Sequence, residues 1–147
     1  MLGSLNRVQI DYLLTSQVIG RIGCCFENEV YVVPITYAYK DDYIYGHTLE
    51  GTKIEFMRSN PNVCFQVDVI ENLANWQSAI VWGNYEELEG DLREDALQVF
   101  VNRIQPLMSS ETDRPRYGLD RKGTGTNRKT VVFRIKITKA TGRYEKK

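Results

Sequence analysis

The residues best suited to chemistry lie between 45 and 53, in the run Tyr45-Gly46-His47-Thr48-Leu49-Glu50-Gly51-Thr52-Lys53. The run passes from the end of a predicted strand into the first turn of a predicted helix. A lysine is unfavourable there, because a helix N-terminus already carries partial positive charge. Helix amides, two threonine hydroxyls and an ammonium group in one short stretch suit an anion, above all a phosphate. A structural alternative fits the same pattern equally well, with Thr48 capping the helix and Lys53 extended into solvent.

His47 is the single histidine. As a side chain that titrates near neutral pH it is the candidate catalytic group, against the simpler role of a structural histidine at a strand end. No Ser–His–Asp or Cys–His spacing accompanies it, and no His or Cys cluster suggests a metal. Neither GxGxxG nor GxxxxGK[ST] occurs. The small polar run 123–127 is read as a flexible loop, since no strand-to-helix junction follows it. The three cysteines, with Cys24 and Cys25 adjacent and Cys64 alone, make no disulfide framework and point to a reducing cytoplasm.

The elements that must position these groups follow from periodicity. Segments 18–25, 30–39, 43–47, 63–69, 77–88 and 130–140 read as strands, separated by turn-rich Glu27-Asn28-Glu29 and Lys40-Asp41-Asp42 and by polar 71–75. Pro34 interrupts the second of them, which places it at an edge or a bulge where a missing N–H is tolerated. The last strand alternates Val131, Phe133, Ile135 and Ile137, predicted buried, with Val132, Arg134, Lys136 and Thr138, predicted wet.

Three helices are predicted. The first, 4–14, has Ser4 as its cap and Leu5, Val8, Tyr12 and Leu13 inward. The second, 49–59, turns Ile54, Met57 and Phe56 inward. The third, 91–108, is capped by Asp91, with Ala96, Val99, Phe100, Ile104 and Leu107 inward. Trp82 is assigned to the core, whereas Trp76 suits either core or ligand stacking. The result is a mainly β chain, a closed or nearly closed antiparallel barrel of six strands with helices outside it. One domain spans residues 1–147.

Composition narrows the function classes. With 19 basic and 19 acidic side chains the net charge is zero, which argues against a general polyanion or nucleic-acid binder. The zero conceals a division: residues 1–113 sum to −10 and 114–147 to +10. The two parts either neutralise each other or leave a basic tail for phosphate groups. No apolar run is long enough to span a bilayer, and the N-terminus lacks the pattern of a signal peptide. Residues 109–128 are almost devoid of apolar side chains and read as a long irregular segment.

Taken together, Tyr31-Val32-Val33-Pro34-Ile35-Thr36-Tyr37, Tyr43-Ile44-Tyr45-Gly46-His47, Glu50-Gly51-Thr52-Lys53, Asn60-Pro61-Asn62-Val63-Cys64-Phe65 and Trp76-Gln77-Ser78-Ala79-Ile80-Val81-Trp82-Gly83 resemble the flavin-binding split-barrel superfamily related to pyridoxamine 5′-phosphate oxidase. The branch of nitroimidazole-resistance-type and flavin-nucleotide-binding proteins is the most similar. The resemblance implies a six-stranded antiparallel split β-barrel with flanking helices. It also implies a cytoplasmic homodimer with FMN bound between its subunits, with FAD or haem as the alternatives.

By the same resemblance, Gly51, Thr52 and Lys53 stand at the triplet that grips the phosphate, with threonine where the family has arginine. Pro34, Ile35 and Thr36 lie along the isoalloxazine ring. Ser78, with Gln77 or Trp76, reaches the flavin, and His47 lies near the ligand. The implied function is that of a small flavin-dependent oxidoreductase acting on an unidentified small molecule, or of a flavin- or haem-binding storage or sensing protein. Residues 109–128 are expected to share in the dimer interface.

Overall fold

Two tight turns set the rhythm of the strands. In the computed structural model, which describes residues 1–108 and 130–147, Glu27 and Asn28 take φ of 50° and 66°, and Asp41 and Asp42 take 50° and 69°. Two consecutive left-handed residues match the twist of paired strands. The first turn joins β2 (Ile19–Phe26) to β3 (Glu29–Thr36), and the second joins β4 (Ala38–Lys40) to β5 (Tyr43–Leu49). The other strands are β1 (Leu2–Ser4), β6 (Asn62–Asn72), β7 (Asn75–Glu87) and β8 (Thr130–Glu145). The helices are α1 (Arg7–Ser16), α2 (Thr52–Ser59) and α3 (Gly90–Ile104), the last followed by a short 3-10 turn.

The strand order is β3-β2-β6-β7-β8-β5-β4, antiparallel throughout, with β1 added along β8. β3 and β4 lie at opposite ends of that order yet follow one another in the chain. The sheet therefore curls until its two edges are joined through Tyr37, without a hydrogen-bonded ladder between them. This is the split barrel. Tyr37 is wholly buried. Its N–H donates to the Val18 carbonyl at 3.0 Å and its hydroxyl to the Leu14 carbonyl at 2.6 Å, so the crossing strand is fixed to the end of α1.

The mainly β architecture with flanking helices agrees with the sequence expectation, although eight strands form among the described residues in place of six. β4 is the continuation of β3 past Tyr37. β1 takes residues 2–4, and β8 runs on to Glu145, beyond the predicted end at 140. The polar stretch 109–128, including 123–127, lies outside the described residues.

Inside the barrel Ile22, Ile44, Phe65, Val67, Val81, Phe133 and Ile135 meet Ile10, Leu13 and Leu14 of α1 and Ile54 and Met57 of α2. The cap of α1 is Asn6, reciprocated by Gln9, because Ser4 is held in β1. Val8 and Tyr12, expected inward, are 77% and 76% exposed. Glu89 and Gly90 start α3, with no side-chain cap from Asp91. Its inward face includes Leu97 and Val101, while Leu107 is exposed.

A second cluster forms where α3 covers the outside of β4, β5 and β8: Ala96, Leu97 and Val101 pack on Ala38, Tyr45 and Val132. Val132 is therefore only 1% exposed, on the face expected to be wet. Trp82 is not in the core. It lies half-buried on the outside of β7, with the Lys139 ammonium 4.7 Å from its ring centre. Among the described residues no helix is long and apolar enough to cross a membrane.

Candidate functional site

The split in the barrel leaves a notch. β4 pairs with β5 only as far as Ala38↔Tyr45, so from Gly46 onward one edge of β5 has no strand partner among the described residues. β3 pairs with β2 up to Thr36↔Ile19 and, among the described residues, has no strand on its other side. Between these two edges lies a cavity of about 200 Å³ lined by Pro34, Ile35, Thr36, Gly46, His47, Thr48, Lys53 and Phe133. Pro34 stands on an edge strand, where it costs no ladder hydrogen bond. Gly46 is required by close approach, since a Cβ there would lie 2.3 Å from the Phe133 ring.

Lys53 occupies the second position of α2. Its Nζ donates to Thr48 Oγ1 at 3.0 Å, and it makes no ion pair among the described residues. Burial pushes its pKa below the ordinary lysine value, because desolvation disfavours the charged form. Thr48 thus serves the lysine and does not cap the helix. Gly51 is the cap residue, extended, with no side-chain bond to the first turn and open space where a Cβ would be. Thr52 is exposed beside it. A half-buried ammonium, a hydroxyl and an uncapped helix N-terminus therefore open onto the notch. Together they are chemically suited to a phosphate.

The turn that carries Gly51 is held by a charged clamp. Arg58 donates to both oxygens of Glu50, each at 2.8 Å, and to Glu87 at 2.7 and 3.0 Å. Tyr85 Oη adds a bond to Glu87 at 2.8 Å. The Arg58 bonds foremost, and the Tyr85 bond after them, hold the Glu87 carboxyl below the ordinary value of 4.5 against the opposing effect of burial. A carboxyl depressed by folding stabilises the native state above its unfolded value and ceases to do so as pH falls through its folded value. Urea midpoints of the parent and Glu87→Gln are therefore expected to differ by a constant amount near neutral pH and to converge at an acid pH below the lowered Glu87 value. An equal gap at both pH values would show that the carboxylate form is not the stabilising one.

His47 is buried on the α3 side of β5. Its Nε2 lies 3.0 Å from Thr130 Oγ1, and its ring stands edge-on to Phe100 at 5.8 Å. Arg93 of α3 reaches the same hydroxyl at 3.0 Å and the Thr130 carbonyl at 3.3 Å. His47 thus borders the notch and also ties β5 to α3. Arg93, Phe100 and Thr130 were not legible as partners, because nothing in the sequence says which strand α3 covers.

Trp76, Gln77 and Ser78 lie elsewhere. Thr48 is in register with Val131 and Ser78 with Arg143, twelve residues apart along β8, on the order of 40 Å of strand. Neighbours on a strand face opposite sides. Ser78 is on the outer face, where Gln66 Nε2 donates to its hydroxyl at 3.1 Å. Gln77 is on the inner side, opposite Val69 and Tyr144. In a single chain, then, the predicted residues form two groups. Gly46 and Phe133 belong to the first and were not singled out. The glycine inside a strand was the available sign, since it marks close approach.

A sequence profile of the family described as pyridoxamine 5′-phosphate oxidase matches residues 6–144. An uncharacterized protein of Rhizobium meliloti (strain 1021) is 34% identical over 84 residues, a stretch that takes in 57% of this chain and only 56% of that relative. The crystal structure of a FAD-binding protein from Mesorhizobium loti superposes with a TM-score of 0.76 at 30% identity, covering 100% of this chain and 98% of the other. A FAD- and haem-binding protein from Mycobacterium smegmatis, 14% identical, shares the fold at a TM-score of 0.70, covering 99% and 74%.

Proposed function

Because the chain belongs to the pyridoxamine 5′-phosphate oxidase family, we propose that it binds a flavin nucleotide, FMN, and acts as a small flavin-dependent oxidoreductase. The observation that supports this most is the half-buried Lys53 beside the open N-terminus of α2. One ammonium and one helix terminus match one terminal phosphate. Lys53, Thr48 and the first-turn amides of α2 would hold that phosphate, with room at Gly51 and the Thr52 hydroxyl adjacent. Pro34, Ile35 and Thr36 offer the open edge of β3 to the ring. When bound, the flavin supplies hydride and single-electron transfer, and the chain's own part is to hold and orient it.

Trp76 and Ser78 would meet the flavin only from a second subunit, since in one chain they lie far along β8 from Lys53. The functional unit in this proposal is a homodimer. The Mesorhizobium loti relative is named for FAD, which makes FAD the competing cofactor. His47 gives no separate support to a haem, because its ring is built into the contact with α3.

The freshly purified protein, incubated with FMN and freed of excess, is expected to show a flavin spectrum, to release FMN on denaturation and to scatter light as a dimer. A haem Soret band, or no retained chromophore, would overturn the flavin assignment. A monomer that holds FMN would overturn the shared site.

A further inference from the structure

Two of the three helices work from inside the barrel, where α1 and α2 deliver Leu13, Leu14, Ile54 and Met57 to the core. The third, α3, covers the outside of β4, β5 and β8. Among the described residues, the outside of β3, β2, β6 and β7 is left without a helix over it. That face is apolar from its edge to its middle. Alternate residues of β3 point outward, and Val30 and Val32 are 71% and 62% exposed. Half-buried Cys25, Cys64, Ile80 and Trp82 continue the patch across β2, β6 and β7. Between them is a hollow of about 430 Å³ whose lining includes Gly23, Val30, Val32, Cys64 and Trp82. The Cys64 thiol leans over Gly23, where a Cβ would lie 2.7 Å from its sulfur. The middle of the face is therefore low, and its rims carry the larger side chains.

The strand registers decide what fits it. Val32 pairs with Gly23, Gly23 with Cys64 and Cys64 with Trp82, so these four form one rung across the face. Pro34, Arg21, Gln66 and Ile80 form the next outward-facing rung. A dyad parallel to the strands, between β2 and β6, exchanges β3 with β7 and keeps each rung at its own level. A second copy placed by it sets Val32 on the partner's Trp82 and Pro34 on the partner's Ile80. It also brings Arg21 toward the partner's Asp68, the same residue type that Arg21 meets at 3.7 Å within its own chain, so opposite charges face each other. One rung further on, Thr36 falls on the partner's Ser78. Thr36 lines the notch, so the operation that matches the apolar side chains also carries Ser78 to the proposed flavin site. We infer that two copies of the chain pair through this face about that dyad, as aligned sheets packed face to face. The link to the flavin rests on the shared-site reading above; the packing itself is testable without any flavin.

Cross-linking reads the dyad directly. In a background of Cys25→Ser and Cys64→Ser, the double variant Val32→Cys, Trp82→Cys is expected to form a covalent dimer on mild oxidation, seen on a non-reducing denaturing gel. Within one chain the two positions are three strands apart, about 14 Å, too far for a disulfide. Each single variant is expected to stay unlinked, because the dyad separates Val32 from the partner's Val32 by the same three strands. Light scattering of the otherwise unaltered chain gives an independent reading. Val32→Arg should raise the dimer dissociation constant at least about a hundredfold, since it buries an unpaired charge. Leu92→Arg, on α3 and 51% exposed in the free chain, should leave it within about twofold. No covalent dimer from the double variant, cross-links from either single variant, or dissociation by Leu92→Arg in place of Val32→Arg would overturn the inference. A dimer linked through 32 and 82 that retains no FMN would uphold this interface and remove the flavin reading. A dimer that retains FMN without that link would overturn the interface and leave the flavin reading in place.

Discussion

Lys53→Ala is expected to weaken FMN binding by about tenfold to a hundredfold, the loss of one charge-assisted hydrogen bond worth about 1.5–3 kcal/mol. Riboflavin has no phosphate, so its affinity should change by less than about twofold. The same site predicts an opposite effect on the free protein. Lys53 is half-buried, bonded only to the Thr48 hydroxyl among the described residues, and burial lowers its pKa. Its charged form therefore carries a desolvation cost at neutral pH, and that cost disappears only above the ordinary lysine value. Lys53→Met should raise the urea midpoint of the unliganded protein while lowering its affinity for FMN. Titration of both flavins, with urea melts of the free variants, reads the two effects. Equal losses for FMN and riboflavin, together with a lower urea midpoint, would mean that Lys53 supports the fold and not the phosphate.

Phe100→Ala is expected to cost about 3–5 kcal/mol, the usual result of emptying an aromatic core position. That is a large share of the roughly 5–15 kcal/mol that holds a domain of this kind together. Phe100 has no exposed surface. It joins α3 to His47 at a ring distance of 5.8 Å, next to the Arg93–Thr130 bonds. The variant should unfold at lower urea with an unchanged slope, and the imidazole resonances of His47 should shift as the neighbouring ring is lost. Phe100→Leu keeps most of the volume and should cost less than about 1.5 kcal/mol. A cost below about 1 kcal/mol for the alanine variant would show that α3 docks through its other residues.

Much of this architecture was legible in the residues themselves. The alternation Val131, Phe133, Ile135, Ile137 identified an inward face that is buried throughout. The Asp41-Asp42 and Glu27-Asn28 turns fell where hairpins needed them. Pro34 announced an edge strand, and Lys53 at a helix start announced an unusual electrostatic position. Each of these depends on interactions within a few residues or on a simple period, and such information is local.

Tertiary structure decided what local patterns cannot encode. Val132 has the strand position of a wet residue, and Val8 and Tyr12 have the helical spacing of core residues. Which of them is covered depends on where α3 and the β6–β7 hairpin come to rest. The candidate site divides for the same reason. Thr48 to Lys53 and Trp76 to Ser78 are each contiguous in sequence, yet the register of β8 sets the two groups twelve residues apart along one strand. The notch owes its existence to the crossing at Tyr37, where β3 leaves one edge of the sheet and β4 joins the other. An opening between two strand edges is a property of their pairing partners, and those partners lie far away in the chain.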